Sequence, residues 1–123
     1  MENIEIRSDS SACLINFSNS YLVHHSTECI SATIGLDPPP PETVSSPPPI
    51  ISTALDCWGL GLLLYELLVD LTKFTALFAN SCEFHFDLLP DEIRIIGRGL
   101  LHRDLSERWN TDKVLQYLSK IGF

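Results

Sequence analysis

The chain has 123 residues, a net charge of −8 and 45% hydrophobic residues, so it is at most one domain with a core of its own. Nucleic acids and anionic membranes bind basic surfaces, and the acidic balance argues against both as partners. Residues 8–72 hold seven acidic side chains and no Lys or Arg, so a phosphate-bearing ligand would meet no positive charge there. The four cysteines fit no zinc spacing and follow no secretory signal, which favours reduced thiols in a cytoplasmic or nuclear protein.

The first third of the chain predicts a small β-hairpin followed by irregular structure. Residues 3–6 alternate polar and apolar side chains, residues 8–11 are turn formers, and residues 12–15 are apolar. Residues 19–37 have little periodicity. Prolines then crowd residues 38–49, which favours an extended polyproline II segment that serves as a linker or as a ligand for an SH3-type groove.

Residues 56–68 are apolar almost all the way round a helix, which predicts a helix that is buried on every side. Four leucines that point in different directions should then all be buried, namely Leu62, Leu63, Leu64 and Leu67. The apolar run is shorter than the ~20 residues that a membrane-spanning helix needs. It also lies in mid-chain, so it is not a signal peptide.

Two more helices are predicted in the last third. Pro90 and the acidic residues after it are typical of a helix start. The apolar stripe of this helix is Ile93, Ile96, Leu100 and Leu101. Gly97 and Gly99 lower its helix propensity. Asn110 is the expected N-cap of the last helix, and Gly122 follows its end. The apolar stripe of the last helix is Val114, Leu115, Leu118 and Ile121.

The helix at residues 56–68 closely resembles the central helix of the large lobe of protein kinases. The family hallmark is Asp-x-Trp-x-x-Gly-x-x-x-Tyr-Glu-Leu, and Asp56, Trp58 and Gly61 match its fixed positions. An aspartate at a helix start accepts backbone N–H groups and favours the positive end of the helix. The resemblance implies that Asp56 also braces the catalytic loop, although most of that loop is missing from this chain.

Two further motifs fit the same family. Pro41 and Glu42 resemble the end of its Ala-Pro-Glu motif, with Pro40 in place of the alanine. Residues 100–108 resemble the large-lobe ending Leu-Leu-x-x-Asp-Pro-x-x-Arg. The resemblance implies that Arg108 pairs with Glu42, and a planar guanidinium suits such a bidentate contact with a carboxylate.

The start of the chain resembles the magnesium-binding part of a kinase in a degenerate form. Asn3 matches the asparagine that helps to hold magnesium. Asn16 and Phe17 stand where kinases carry Asp-Phe-Gly, so Asn16 replaces the metal-binding aspartate and Ser18 replaces the glycine. A neutral Asn offers one carbonyl oxygen and is a poor ligand for a hard cation. We therefore expect no metal and no cofactor.

The parts that phosphoryl transfer depends on are absent from the sequence. The chain has no glycine-rich loop, no ATP-anchoring lysine and no catalytic aspartate of the kinase type. The tripeptide His102-Arg103-Asp104 spells the catalytic-loop motif, but it follows the central helix instead of preceding it. We therefore expect no enzyme activity and no catalytic residue, and Asp104 is not a candidate base.

The predicted fold is mainly α with a small N-terminal β-hairpin, a truncated kinase-like large lobe around a buried central helix. One partial kinase-like domain spans residues 1–123. Within it, residues 1–18 form the hairpin and the degenerate Asp-Phe-Gly region, residues 19–55 an activation-segment-like and proline-rich loop, and residues 56–123 the helical core.

The resemblance implies a pseudokinase fragment that acts as a protein-interaction or regulatory module, with a kinase or a kinase substrate as its partner. The alternative is the C-terminal part of a longer ATP-dependent protein kinase whose N-terminal half is absent from this chain. An in-frame small lobe in the upstream coding sequence would favour that alternative. Neither interpretation includes nucleic acid or a membrane as a partner, and both place the protein in the cytoplasm or nucleus.

Overall fold

The computed structural model describes residues 3–18, 20, 39–44, 52–69, 84, 86–87 and 89–123. These residues form two short strands, β1 (Ile4–Ile6) and β2 (Ala12–Leu14), a 3-10 turn (Pro41–Val44) and three helices. The helices are α1 (Ala54–Leu68), α2 (Asp91–Leu100) and α3 (Thr111–Ile121). The described part is thus mainly helical with an N-terminal hairpin, as the sequence predicts. Most of the activation-segment-like loop predicted for residues 19–55 lies outside the described residues.

A tight turn closes the hairpin at the position that its sequence predicts. The Asp9 carboxylate accepts hydrogen bonds from the Ser11 hydroxyl at 2.6 Å and from the Ser11 backbone N–H at 2.9 Å. Both bonds favour the ionised carboxylate and lower the pKa of Asp9. Ser10 has a φ of 66°, in the left-handed region that tight turns use.

One face of the hairpin is apolar and open. The strands pair antiparallel with Glu5 opposite Cys13, and the flanking pairs are Ile4 with Leu14 and Ile6 with Ala12. Because side chains alternate across a strand, these two flanking pairs share one face. Ile6 is 68% exposed and Leu14 is 64% exposed. An isolated two-stranded hairpin is marginally stable in water, so this apolar face is suited to contact with a further surface.

One side of α1 packs against Leu101 at the end of α2 and against Phe84 and Phe86, which precede α2 in the chain. Trp58, Leu62 and Tyr65 form one core cluster with Phe86 and Leu101. Their spacing along α1 places the three side chains in a single stripe. The Tyr65 and Phe86 rings meet edge to face with their centroids 5.1 Å apart, a favoured aromatic geometry.

A second cluster joins all three helices. Cys57 of α1, Ile96 and Leu100 of α2, and Val114 of α3 are buried against one another. Trp109 packs at the edge of this cluster, where α3 begins. Burial disfavours the charged thiolate and raises the pKa of Cys57. Ile96 and Leu100 of the stripe predicted for α2 therefore meet Val114 of the stripe predicted for α3.

The prediction that α1 is buried on every side was wrong. Leu62 is buried, and Leu63 and Leu64 are half-buried, but Leu67 is 57% exposed. An apolar sequence all round a helix favours burial, but it does not identify the elements that would cover each side. In the described part, α2 and the aromatic cluster occupy one side of α1, and Leu67 lies away from them. Among the described residues, the packing partners of this apolar helix thus lie on one side of it.

Two glycines of α2 are places where aromatic rings approach the helix backbone. A Cβ on Gly97 would lie 2.4 Å from the Phe86 ring, and a Cβ on Gly99 would lie 2.4 Å from the Trp109 ring. Such distances are far below van der Waals contact, so neither ring could stay in place beside an alanine. The two glycines lower the helix propensity of α2, but they leave the space in which both rings pack against the helix.

The ends of α3 are those that the sequence predicts. The Asn110 side chain accepts a hydrogen bond from the Lys113 backbone N–H at 2.9 Å, and Gly122 has a φ of 87°. The predicted apolar stripe is correct at Val114 but wrong at Leu115, which is exposed because it lies about 100° round the helix from the buried side. None of the helices in the described ranges is long and apolar enough to cross a membrane.

Candidate functional site

Arg108 is the most constrained charged residue in the described part of the chain. It lies in the loop of residues 101–110 that connects α2 to α3, and its side chain is only 1% exposed. The loop turns around Asp104, whose carboxylate accepts hydrogen bonds from the Ser106 hydroxyl at 2.7 Å and the Ser106 backbone N–H at 2.9 Å. The Arg108 backbone N–H then donates to the Asp104 carbonyl at 3.0 Å. This turn directs Arg108 into the interior.

Glu42 meets Arg108 in a bidentate ion pair. Arg108 Nη1 lies 2.5 Å from Glu42 Oε1, and Nη2 lies 2.7 Å from Oε2. The Glu42 side chain is 14% exposed, so water screens the contact little. Two parallel N–H···O bonds fix both the distance and the orientation of the two groups.

The 3-10 turn that carries Glu42 is itself anchored. Pro41 is its first residue, and Pro40 just before it is fully buried. The Thr43 hydroxyl and backbone N–H donate to the Pro40 carbonyl at 2.7 Å and 3.0 Å. The positions that resemble the Pro-Glu motif are thus the positions that hold the carboxylate in place.

The guanidinium of Arg108 also contacts the start of α1 and its own loop. Nη1 donates to the Ala54 carbonyl at 3.2 Å, and Nε donates to the His102 carbonyl at 3.0 Å. The Arg108 Cζ atom lies 4.9 Å from the centroid of the Trp58 ring, within cation–π distance. We call the group formed by Glu42, Ala54, Trp58 and Arg108 the arginine junction. It joins three segments that are far apart in the sequence.

The other residues of the central-helix motif have separate places. Gly61 is buried against α2, and a Cβ there would lie 2.7 Å from Leu101 Cγ. Asp56 lies in the first turn of α1 and is exposed. An acid in the first turn favours the positive end of the helix, as its sequence position predicts. The predicted brace to a catalytic loop is not tested by any described contact.

The residues at the magnesium-like positions are engaged with one another. Asn16 Nδ2 donates to Asn3 Oδ1 at 3.2 Å, and the Ser18 hydroxyl donates to Asn16 Oδ1 at 2.8 Å. Asn16 has a φ of 61°, a left-handed conformation that Asn adopts more readily than most residues. Phe17 beside it is exposed. Both amide oxygens, the atoms that would face a cation, thus accept hydrogen bonds from this chain.

No group of three or more His, Cys, Asp and Glu side chains in the described ranges is arranged to hold a metal ion. Asp104, in the sequence that resembles a catalytic loop, is exposed, and its hydrogen bonds from Ser106 lower its pKa. A lowered pKa makes a carboxylate a weaker base. Its two acceptor contacts shape the loop that presents Arg108, a role that the sequence did not suggest.

Sequence reasoning missed a second polar feature at the same end of the helices. Arg98, His102 and Lys113 line a shallow groove around Trp109. Its signal in the sequence is weak: the pairs Arg98–His102 and Trp109–Lys113 each have the four-residue spacing of one helical turn. Such spacings are common on solvated helices, so the pattern becomes informative only when the fold brings the two pairs together.

Comparison with known proteins assigns this chain to no family. No protein-family model matches it, and no curated protein matches it significantly. The likeness to protein kinases is therefore a matter of the residues themselves. The arginine junction brings together Glu42, Trp58 and Arg108, three positions that the resemblance singles out. Asn3 and Asn16 form their own hydrogen-bonded group in the hairpin.

Proposed function

We propose that this chain is a non-catalytic, protein-kinase-like module that acts by binding another protein. The observation that carries the proposal is the open apolar face of the hairpin, with Ile6 and Leu14 about two-thirds exposed on neighbouring strands. Contiguous apolar patches on a soluble protein mark interaction sites more often than single exposed residues do. Phe17 adds an exposed aromatic ring just beyond β2.

The arginine junction supports the kinase-like part of the proposal. Glu42 and Arg108 are 66 residues apart in the chain, yet they meet in the bidentate geometry that the resemblance implies. Trp58, a fixed position of the central-helix motif, lies against the same guanidinium. Because Leu67 is exposed, α1 does not support the proposal as a fully buried central helix. The arginine junction is the observation that supports the kinase-like part.

The hydrogen-bonded pair of Asn3 and Asn16 supports the non-catalytic part. Metal-assisted phosphoryl transfer needs carboxylate or carbonyl oxygens directed at a magnesium ion that bridges the ATP phosphates. Asn3 Oδ1 and Asn16 Oδ1 both accept hydrogen bonds within the hairpin, and neither carries a negative charge. A magnesium ion at these two oxygens would gain only neutral ligands that already accept hydrogen bonds, which makes a weaker site than one with a carboxylate.

Calorimetry with magnesium and ATP tests the non-catalytic part. The full chain is expected to give no saturable heat up to millimolar nucleotide. A matched titration of an active protein kinase under the same conditions confirms that binding would be detected. A dissociation constant in the micromolar range for this chain would contradict the proposal.

A binding experiment tests the interaction part. The probe is the isolated small lobe of an intact protein kinase. In the family that the chain resembles, the small lobe covers the part of the large lobe to which this hairpin corresponds. The full chain should bind it saturably. The double substitution Ile6→Ser and Leu14→Ser should weaken binding at least about tenfold, because burying one such side chain contributes ~1.5–3 kcal/mol.

A matched control for that experiment comes from the helices. Leu67→Ser and Leu115→Ser remove two exposed leucines away from the hairpin and should leave the affinity within about twofold. Absence of binding by the unchanged chain, or equal losses in both double variants, would show that the hairpin face is not the contact.

The second candidate is the C-terminal part of a longer ATP-dependent protein kinase. The same open hairpin face favours it, since an N-terminal half of one polypeptide would cover that face as well as a separate partner would. The upstream coding sequence separates the two. An in-frame small lobe with an ATP-anchoring lysine and a His-Arg-Asp motif would support the longer enzyme, and Asn16 would still weaken its metal site.

A further inference from the structure

The loop between α2 and α3 exposes the consecutive residues 102–107, between the buried Leu101 and the buried Arg108. Their side-chain hydrogen bonds, from Ser106 to Asp104 and between His102 and the Asp104 backbone, lie within the loop itself. Bonds of this kind in an exposed segment open at a smaller cost in free energy than those of the core. The loop is therefore accessible to an enzyme that modifies protein side chains.

Ser106 is the one hydroxyl-bearing residue of this loop, and Arg103 stands three positions before it. Arg103 is exposed, and no hydrogen bond or ion pair joins its side chain to another residue in the described part of the chain. On an extended backbone side chains alternate, so Arg103 and the exposed Leu105 would share one face and Ser106 would lie on the other. Carboxylates bind a free guanidinium well, and kinases select substrates by such charge patterns. Because Asp104 and Glu107 flank the serine, the matching kinase requires this one arginine and tolerates acidic neighbours.

Ser10 has the same spacing from Arg7, but the closed turn of the hairpin holds both residues. The Ser10 backbone N–H donates to the Arg7 carbonyl at 2.9 Å, and the Arg7 backbone N–H donates to the Ser11 carbonyl at 2.9 Å. Arg7 Nη2 also lies 3.2 Å from Cys13 Sγ. The spacing of serine and arginine thus comes with a free arginine in the loop after α2, and with an engaged one in the hairpin.

The Ser106 hydroxyl is part of the turn that presents Arg108. It donates to Asp104 Oδ1 at 2.7 Å, and the Arg108 backbone N–H donates to the Asp104 carbonyl at 3.0 Å. A phosphate on Ser106 Oγ ends the first bond, because the ester oxygen carries no proton. It also places about two negative charges beside the Asp104 carboxylate. Like charges at this distance repel, so the turn opens and Arg108 loses a backbone anchor.

We propose that Ser106 is a phosphorylation site for an arginine-directed serine kinase, and that its modification weakens the arginine junction. In the reaction Ser106 Oγ attacks the γ-phosphorus of ATP bound to that kinase. The new O–P bond forms, the bond to ADP breaks, and the hydroxyl proton passes to the catalytic carboxylate of the kinase. The loop is separate from the hairpin face, so the inference stands whether or not that face binds a kinase lobe.

The first test treats the full chain with ATP, magnesium and a calmodulin-dependent protein kinase as the arginine-directed enzyme, and maps the phosphate by mass spectrometry. Ser106 is expected to be modified. Arg103→Gln should slow its modification at least about tenfold, because the kinase loses a charge-assisted contact. The matched control Arg98→Gln removes an equal charge from the last turn of α2, outside the loop, and should change the rate less than about twofold. An unmodified Ser106, or equal rates for the two variants, would overturn the assignment of the site.

The second test measures the consequence on a homogeneous phosphoprotein. Ligation at Cys82 joins an expressed segment 1–81 to a synthetic segment 82–123 with a phosphate on Ser106. Its melting temperature, followed by circular dichroism, should be lower by roughly 5 °C or more than that of the same chain without phosphate.

Asp104→Asn separates repulsion within the turn from a general effect of added charge. The amide keeps an acceptor oxygen for the turn and gains a donor that can face the phosphate. Phosphorylation of this variant should therefore lower the melting temperature by at most about half as much as in the unchanged chain. An unaltered or raised melting temperature on phosphorylation, or an equal fall in both chains, would overturn the proposed coupling to the arginine junction.

Discussion

Replacing Arg108 by alanine is the sharpest test of the fold. The change removes both N–H···O contacts to Glu42 and the donors to the carbonyls of Ala54 and His102. Because the Arg108 side chain is 1% exposed, little water can take its place. Removing one partner of a buried ion pair costs ~3–5 kcal/mol. Whole domains are stable by ~5–15 kcal/mol, so Arg108→Ala should remove a large share of the total.

Urea unfolding followed by circular dichroism measures this change, with Arg103→Ala as the control. Arg103 lies in the same loop but is exposed, so its removal should alter the free energy of unfolding by no more than about 0.5 kcal/mol. The melting temperature of Arg108→Ala should fall by roughly 10 °C or more. Arg108→Lys keeps the charge but not the planar fork, so its loss of unfolding free energy should lie between those of Arg103→Ala and Arg108→Ala. Equal, small effects of Arg108→Ala and Arg103→Ala would refute the junction.

Three further changes test the packing. Gly97→Ala should destabilise the chain by about 1–3 kcal/mol despite the better helix propensity of alanine, because the new Cβ would press on the Phe86 ring. In the folded chain at about pH 8, Cys57 should react with iodoacetamide far more slowly than Cys13, since burial raises the pKa of the Cys57 thiol and keeps it protonated. Leu67→Ser should change the free energy of unfolding by about 0.5 kcal/mol at most, because that side chain is exposed.

Each of these changes has a control within the chain. Glu92→Ala removes an exposed acid from the first turn of the same helix and should cost at most about 1 kcal/mol, so a loss as large as that of Gly97→Ala would point to the helix and not to the ring. Peptide mapping in urea should show equal labelling of Cys57 and Cys13, and equal labelling in the folded chain would mean that Cys57 is accessible. Leu62→Ser should destabilise strongly, so a neutral effect there would contradict the core assignment.

The features that the sequence predicted well are those with local causes. The turn around Asp9 and the cap at Asn110 depend on a side chain bonding to backbone within three residues. Gly122 ends α3 with a positive φ that glycine adopts without strain. The contact of Glu42 with Arg108 is not local, and only the resemblance to a family suggested it.

The features that the sequence could not predict depend on what lies beside each element. Leu62 and Leu67 are the same residue type in one apolar run, yet Leu62 is buried and Leu67 is exposed, because the neighbours of α1 in the described part of the chain lie on the side of Leu62. From the sequence, Gly99 only lowers the helix propensity of α2, and its contact with the Trp109 ring is visible only in the fold. The charges around that ring come from two helices and a loop, so no single window of sequence contains the groove.

The long sequence separation within the arginine junction has a consequence for kinetics. A contact between residues 66 positions apart closes a long loop, and local helices and turns form before such loops close. Interactions that form after the transition state change the unfolding rate and leave the folding rate nearly unaltered. Stopped-flow measurements on Arg108→Ala distinguish the two orders of events: unfolding about a hundredfold faster with a similar folding rate would place the ion pair after the transition state, and slower folding would place it within the transition state. In the first case the ion pair determines how long the folded chain persists, and in the second it also determines how quickly the folded chain is reached.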